Sequence, residues 1–208
     1  MAKIVLYMWM SLDGFVAGPD DGPDQGLGVG GERLHEFLTF EGADGDPDQP
    51  ASARSHDEVG TAVMAEAMAT GAVLTGRRTF EFAGQWGGDH HDGVPIVVLS
   101  RSAPAEPPLG HARYVTDVRE AAAQAKAAAG DRDVLLHGAE AARACLRAGV
   151  LDEMALQVVP VLLGSGRRLF DDMPPEQVEL ELVRALDGPG MVHLRYRVLP
   201  TSGSGGER

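Results

Sequence analysis

Arginine beside glycine at the start of a helix is the chemistry this chain offers first. Gly76-Arg77-Arg78-Thr79 follows one apolar run and Gly138-Ala139-Glu140 follows another. A glycine turn into a helix leaves backbone N–H groups unpaired and a partial positive charge at the helix start, and together these receive phosphate. Guanidinium groups bind phosphate bidentately. Arg77 and Arg78 in a first helical turn oppose the helix dipole, so a bound anion explains them better than a solvated helix start does. Ser100-Arg101 ends a third apolar run, and Asp13 through Gly18 leaves the first.

Other candidates carry two readings each. Asp13 is the candidate catalytic group, orienting substrate or cofactor, with either Asp13 or water as the proton source; the plainer reading is a turn former before Gly14. Gln157 lies mid-strand between Leu156 and Val158 and needs a partner, either substrate or a neighbouring backbone. Trp86, in Gly84-Gln85-Trp86-Gly87-Gly88, either stacks on a flat ligand or packs as core or lid. Asp89-His90-His91-Asp92 looks like a metal cluster, but adjacent histidines do not share a face and no third ligand has suitable spacing. It reads as a surface loop, and no metal is expected. Arg167-Arg168 either meets an anionic substrate group or ends a strand.

The elements that must position these groups follow from periodicity. Lys3–Met10 is apolar, β-branched and aromatic, a central strand. Long acidic loops rich in glycine and proline span 19–31 and 41–56, lengths typical of lids or insertions, with a short helix expected over Glu32–Phe40. Gly26, Gly28 and Gly31 fit G-x-G-x-x-G, but no strand immediately precedes them, so the stretch reads as a flexible loop. A helix is expected from Asp57 to Thr70, stopped by Gly71, then a strand at Ala72–Thr75 and the helix opened by Gly76. Val94–Ser100 is a strand, Tyr114-Val115 a brief one, and Asp117–Ala129 a helix with Asp117 and Glu120 as a capping box.

Val134–Leu136 is a buried strand that turns through His137-Gly138-Ala139 into a helix closed by Gly149, with Ala142, Cys145 and Leu146 on its apolar face. Met154–Leu163 is a further strand broken by Pro160. Val178–Leu182 and Val192–Val198 alternate as an antiparallel hairpin with one buried face. A register setting Glu181 opposite Arg195 and Glu179 opposite Arg197 would pair charges on the wet face. Strands alternating with helices, then a hairpin, give an α/β, three-layer fold. Its central sheet is mostly parallel, with helices on both faces and a C-terminal antiparallel hairpin. Residues 1–200 read as a single domain and 201–208 as a disordered tail.

The totals narrow the function. With 208 residues, a net charge of −13 and a pI of about 4.8, the chain is a poor partner for nucleic acid or an anionic membrane. No apolar run reaches the roughly 18 residues of a membrane span, and the N-terminus lacks a signal-peptide cleavage site. The single cysteine falls on an apolar helix face, which fits a reducing cytoplasm.

SLDGFVAGPD (11–20), GAVLTGRRTFE (71–81), VVLSR (97–101) and LLHGAEAARACLRAGVLDEMALQVVPVLLGSGRRLF (135–170) together resemble the dihydrofolate reductase-like superfamily. More closely they resemble the reductase domain of the riboflavin-biosynthesis deaminase–reductase and its stand-alone bacterial relatives. The resemblance implies an NADPH-dependent reductase, transferring hydride to a C=N or C=O of a small, heterocyclic substrate, and a homodimer. It implies that Ala17 and Gly18 meet the nicotinamide carboxamide, and that Gly76, Arg77, Arg78 and Thr79 hold phosphates. Leu99, Ser100 and Arg101 would flank the adenine and its 2′-phosphate, with Gly138, Ala139 and Glu140 under the pyrophosphate and nicotinamide. Trp86 and Gln157 fall to the substrate.

The chain departs from the family pattern in three places. His137 stands where two adjacent glycines are usual, which argues against the cis peptide of the superfamily. Glu32 and Glu36 are the nearest carboxylates to a dihydrofolate reductase acid, so dihydrofolate reduction itself is not expected. The H-x-E and P-C-x-x-C signature of the deaminase half does not occur. The alternative function is a ligand-binding or sequestering protein on the same fold, without turnover.

Overall fold

The computed structural model describes residues 1–41, 52–55, 57–102, 104–173 and 177–200. The expected tail at 201–208 and most of the acidic 41–56 loop lie outside the described residues. In chain order the elements are β1 (Ile4–Ser11), β2 (Phe15–Ala17), β3 (Leu38–Glu41), β4 (Ser52–Ser55), α1 (Glu58–Met68), β5 (Ala72–Gly76), α2 (Arg77–Phe82), β6 (Ile96–Leu99), β7 (Arg113–Val115), α3 (Val118–Ala129), β8 (Val134–His137), α4 (Ala139–Arg147), β9 (Glu153–Val159), β10 (Arg167–Arg168), β11 (Leu180–Gly188) and β12 (Met191–Val198).

The main sheet has eight strands in the order β11-β12-β9-β1-β8-β5-β6-β7. From β9 to β7 every pairing is parallel, and β12 and β11 close one edge antiparallel. The fold is the α/β, three-layer arrangement expected. Period-two alternation sorts β1 between two cores. Ile4 and Leu6 pack with Leu74, Leu136 and the alanines of α3 and α4, while Val5 and Tyr7 pack with Val73, Leu135, Ala67 of α1 and Phe80 of α2. Alanine on the buried faces of α3 and α4 lets both helices lie close to the sheet. Asp57 caps α1 by accepting from Gly60 N, and Asp117 caps α3 by accepting from Glu120 N. Glu120 does not complete the capping box, because its carboxylate accepts from Gln124 instead. No helix among the described residues is long and apolar enough to cross a membrane.

Three expectations are corrected. The helix over Glu32–Phe40 is only a 3-10 turn at Gly31–Leu34, followed by β3 paired with β4, since Leu38-Thr39-Phe40 favours extended backbone. In the hairpin a bulge between Leu182 and Arg184 shifts the register, so Glu181 faces Arg197 and Arg184 faces Arg195. From the turn to Arg195 the covered face of the hairpin is also the opposite one, whereas Arg197 stays exposed and Val198 packs on the core as expected. His193 is buried and the Arg195 side chain is 17% exposed, while Leu182 and Val192 are 56% and 40% exposed. The reason is ionic. Glu66 on α1 holds Arg184 at 2.7 and 2.8 Å and Arg195 at 3.1 Å, and Arg195 also meets Glu153, itself bound by Lys3. This network brings α1 down on the charged face.

Candidate active site

Because β6, β5 and β8 are adjacent and parallel, their C-terminal ends reach one edge of the sheet, where ligands of open α/β sheets bind. Gly76 leads straight into α2, and Gly138 leads into α4 with φ +95°. A side chain at Gly138 would put its Cβ 2.4 Å from Thr79 Oγ1, so glycine is required for the turn after β8 to lie against α2. Neither helix has a side-chain cap, and the first turn of α4 opens into a groove of about 2140 Å³.

That groove is lined by Ala17, Gly76, Arg77, Arg78, Thr79, Leu99, Ser100, Arg101, Gly138, Ala139 and Glu140. Every proposed cofactor contact except Gly18 is therefore on one continuous surface. Ser100 donates from its hydroxyl to Ser102 O at 2.7 Å, shaping the turn that exposes Arg101, which has no ion pair among the described residues. Arg77 pairs with Glu81 at 2.7 Å. Arg78, stacked on Phe82, shares the carboxylate of Asp21 with Arg167. Burial pushes the Asp21 carboxyl up, but the hydrogen bonds from Arg167 and Arg78 outweigh it and hold the group below its ordinary value. Arg167, left between two readings in the sequence, also reaches Glu140 at 3.4 Å and lines the groove, whereas Arg168 lies over the Phe15 ring and donates to Asp13 O.

Gly18, Asp13 and Gln157, named from the sequence, do not line the groove. Gly18 is walled off: its N donates to Leu27 O, and a Cβ there would lie 2.0 Å from Val29 O. The Gly26–Gly31 stretch packs backbone on backbone against that segment, with Gly28 close to Gly18 O, so these glycines serve close approach and not looseness. Asp13 does not line the groove. Its carboxylate accepts from Ser11 Oγ at 2.6 Å, Gly164 N at 2.8 Å and Leu163 N at 3.1 Å, tying the β1–β2 turn to the loop after β9. These bonds, the Ser11 hydroxyl first, lower its pKa and fix it as an acceptor. Gln157 is 1% exposed between Trp9 and His193 in register, and its Oε1 lacks a partner among the described residues, but it too lies outside the groove wall. Glu32 and Glu36 pair with Gln25 and Arg33 and do not line the groove.

Beyond the arginines the groove changes character. Tyr7, Trp9, His35, Met64 and Met68 line its far end, joined by Trp86, His90, His91 and His137. Trp86 reaches the groove on a left-handed turn, with φ of +61° at Gly84, +55° at Gln85, +49° at Trp86 and +62° at Gly87. For Gln85 and Trp86 that conformation costs about 1–2 kcal/mol each, strain of the kind held at functional positions. Trp86 packs edge-on against Phe80 at 5.7 Å and His90 at 4.6 Å.

The Asp89–Asp92 segment, read from sequence as a surface loop, thus contributes two histidines to the groove. Only the glycines around Trp86 hinted at it. No group of three metal-ligating side chains occurs among the described residues. The described residues contain no cis peptide, His137-Gly138 included.

The profile of the RibD C-terminal domain matches residues 2–194. A riboflavin-biosynthesis-type protein from Shewanella sp. PV-4 superposes with a TM-score of 0.68 at 19% identity, over 96% of this chain and 100% of that one. A pyrimidine reductase-like protein from Corynebacterium diphtheriae gives 0.60 at 13% identity over 96% and 92%. A diaminohydroxyphosphoribosylaminopyrimidine deaminase/5-amino-6-(5-phosphoribosylamino)uracil reductase from Thermotoga maritima gives 0.60 at 14% identity, over 95% of this chain and 57% of that one. No curated protein matches by sequence.

Proposed function

The chain belongs to the RibD C-terminal domain family, and from that premise we propose that it is an NADPH-dependent oxidoreductase. Its reaction would be hydride transfer to a C=N or C=O carbon of a small heterocyclic substrate. The observation that carries this reading is the convergence of β5, β6 and β8 on one rim. There the uncapped start of α4, the glycine cradle at Gly138 and the guanidinium of Arg101, without an ion pair among the described residues, line a single groove.

The residues fit the cofactor. The amides of Ala139 and Glu140 would hold the pyrophosphate, where the closeness of Gly138 to Thr79 keeps backbone, not side chain, against the ligand. Arg101, with the Ser100 turn behind it, would take the 2′-phosphate, and Leu99 would lie along the adenine. Arg77, Arg78 and Arg167 add positive charge, now balanced by Glu81 and Asp21. NADPH when bound supplies the hydride; the protein supplies orientation and electrostatics. With Asp13 committed to backbone amides, the proton comes from water reaching the groove. The chain would act as a homodimer, the exposed apolar face of β11 and β12 at Leu182 and Val192 being the surface available for it.

Titration with NADPH tests the reading. Quenching of tryptophan fluorescence together with a rise in melting temperature is the expected result, and neither change at millimolar NADPH refutes it. Binding without oxidation across a panel of heterocycles would make the protein a sequestering one.

A further inference from the structure

Three histidines at the far end of the groove, His90, His91 and His137, have hydrogen-bond partners that determine their tautomers. His91 Nε2 lies 3.2 Å from Thr70 O and 3.3 Å from Thr70 Oγ1. The carbonyl only accepts, and the hydroxyl already donates to Ala67 O at 2.8 Å. His91 Nε2 therefore carries the proton, and its Nδ1 is a lone pair. His90 Nδ1 lies 2.8 Å from that lone pair and must donate to it, which leaves His90 Nε2 unprotonated. Independently, His137 Nδ1 lies 2.9 Å from Tyr7 O and donates to it, so His137 Nε2 is a lone pair as well. Burial keeps both rings neutral, bringing His137 down to about 4 and His90 to about 2.

Both rings line the groove, 5.3 Å apart between centroids and tilted by 39°, and no described residue hydrogen-bonds either Nε2. Trp86 flanks both, at 4.6 Å from His90 and 6.2 Å from His137. Two neutral acceptors beside an indole form a site for a flat ring. Unprotonated nitrogens cannot give a proton to a substrate, and two imidazoles without a third ligand do not make a metal centre.

We propose that His90 and His137 are specificity-determining residues that select a planar heterocycle presenting two N–H donors on one edge, its face against Trp86. This rests on the reductase reading for the substrate's place in the reaction, and it names two residues that reading does not use. A site built to receive N–H donors rejects a ring of the same size that lacks them, because its own acceptors are left unpaired.

The test compares 2,4-diaminopyrimidine with 2,4-dimethylpyrimidine, by calorimetric titration of the intact protein without cofactor, at a pH where both rings are neutral. The expected preference for the diamino compound is at least about tenfold. His90→Phe and His137→Phe should each bring it close to unity without weakening the dimethyl compound. His137→Gln, whose amide oxygen can accept in place of Nε2, should retain it, which separates lost acceptance from lost folding. Equal binding of the two pyrimidines, binding of neither at millimolar concentration, or an unchanged preference in both phenylalanine variants overturns the proposal. So does Zn²⁺ binding that excludes the diamino compound and is lost in the same variants. NADPH plays no part in this titration, so its outcome and that of the cofactor titration are independent.

Discussion

The two ends of the groove offer a ligand different physics. The rim offers charge: the amides of an uncapped helix, Arg101, and the arginines Arg77 and Arg78, which Glu81 and Asp21 hold. The far end offers shape and acceptors: imidazoles, indoles and methionines against the sheet. Exposed ion contacts weaken as salt rises, while a buried neutral acceptor hardly responds. The two ends should therefore come apart under ionic strength, dinucleotide affinity falling with salt and pyrimidine affinity staying level. On the proposed reading the groove would take a charged, flexible ligand at one end and a neutral flat one at the other, with Gly138 where they meet.

Substitution at that junction has the largest expected effect. Gly138→Val places a branched side chain within clash distance of Thr79 at a positive φ. Strain of about 3 kcal/mol follows, with a fall in Tm of roughly 5–10 °C and loss of binding at both ends, measured by melting and calorimetry.

A control away from the groove comes next. Burial alone would raise the Glu153 carboxyl, but Lys3 and Arg195 hold it below its ordinary value; at Glu66 the bond from Arg184 leads the lowering. Folded-state values below the unfolded ones mean stability that is present above the unfolded carboxylate range and lost as pH falls through the folded values. Glu153→Ala leaves Arg195 with the Glu66 carboxylate alone and should cost about 2 kcal/mol at neutral pH, the worth of a charged hydrogen bond, and flatten the acid limb of the stability curve. The ratio of NADPH to NADH affinity should not change.

Smaller effects sharpen the rim itself. Arg101→Ala should weaken NADPH by roughly tenfold to a hundredfold, the worth of one charged hydrogen bond, and leave NADH within about twofold. Equal losses would remove Arg101 from any 2′-phosphate role. Asp21→Asn frees Arg78 and Arg167, and should raise NADPH affinity roughly two- to fivefold at low salt, a gain that disappears at high salt.

What the sequence disclosed and concealed divides along the same line. The rim was legible because its signals are local: apolar run, glycine, arginine, helix start, repeated at Gly76 and Gly138. The parallel strands and the Asp117 cap were legible for the same reason. The far end, Trp86 apart, was not. His90 and His91 enter the groove through a left-handed turn built partly on Gln85 and Trp86, residue types that carry no signal for that conformation. Asp13 meets its partners 150 and 151 residues away, so its commitment to the 163–164 amides cannot be seen locally. The hairpin register moved because of a bulge near Leu182, and its wet face became the covered one because Glu66, on a distant helix, binds Arg184 and Arg195.

The most direct test of the groove as a phosphorylated-dinucleotide site is ³¹P NMR of NADP⁺ titrated with the protein and with its Arg101→Ala variant. The 2′-phosphate resonance should shift and stay dianionic to lower pH on the native protein, and return toward its free position with the variant, while the pyrophosphate signals shift in both. A 2′-phosphate resonance that titrates identically with and without the protein would contradict the account.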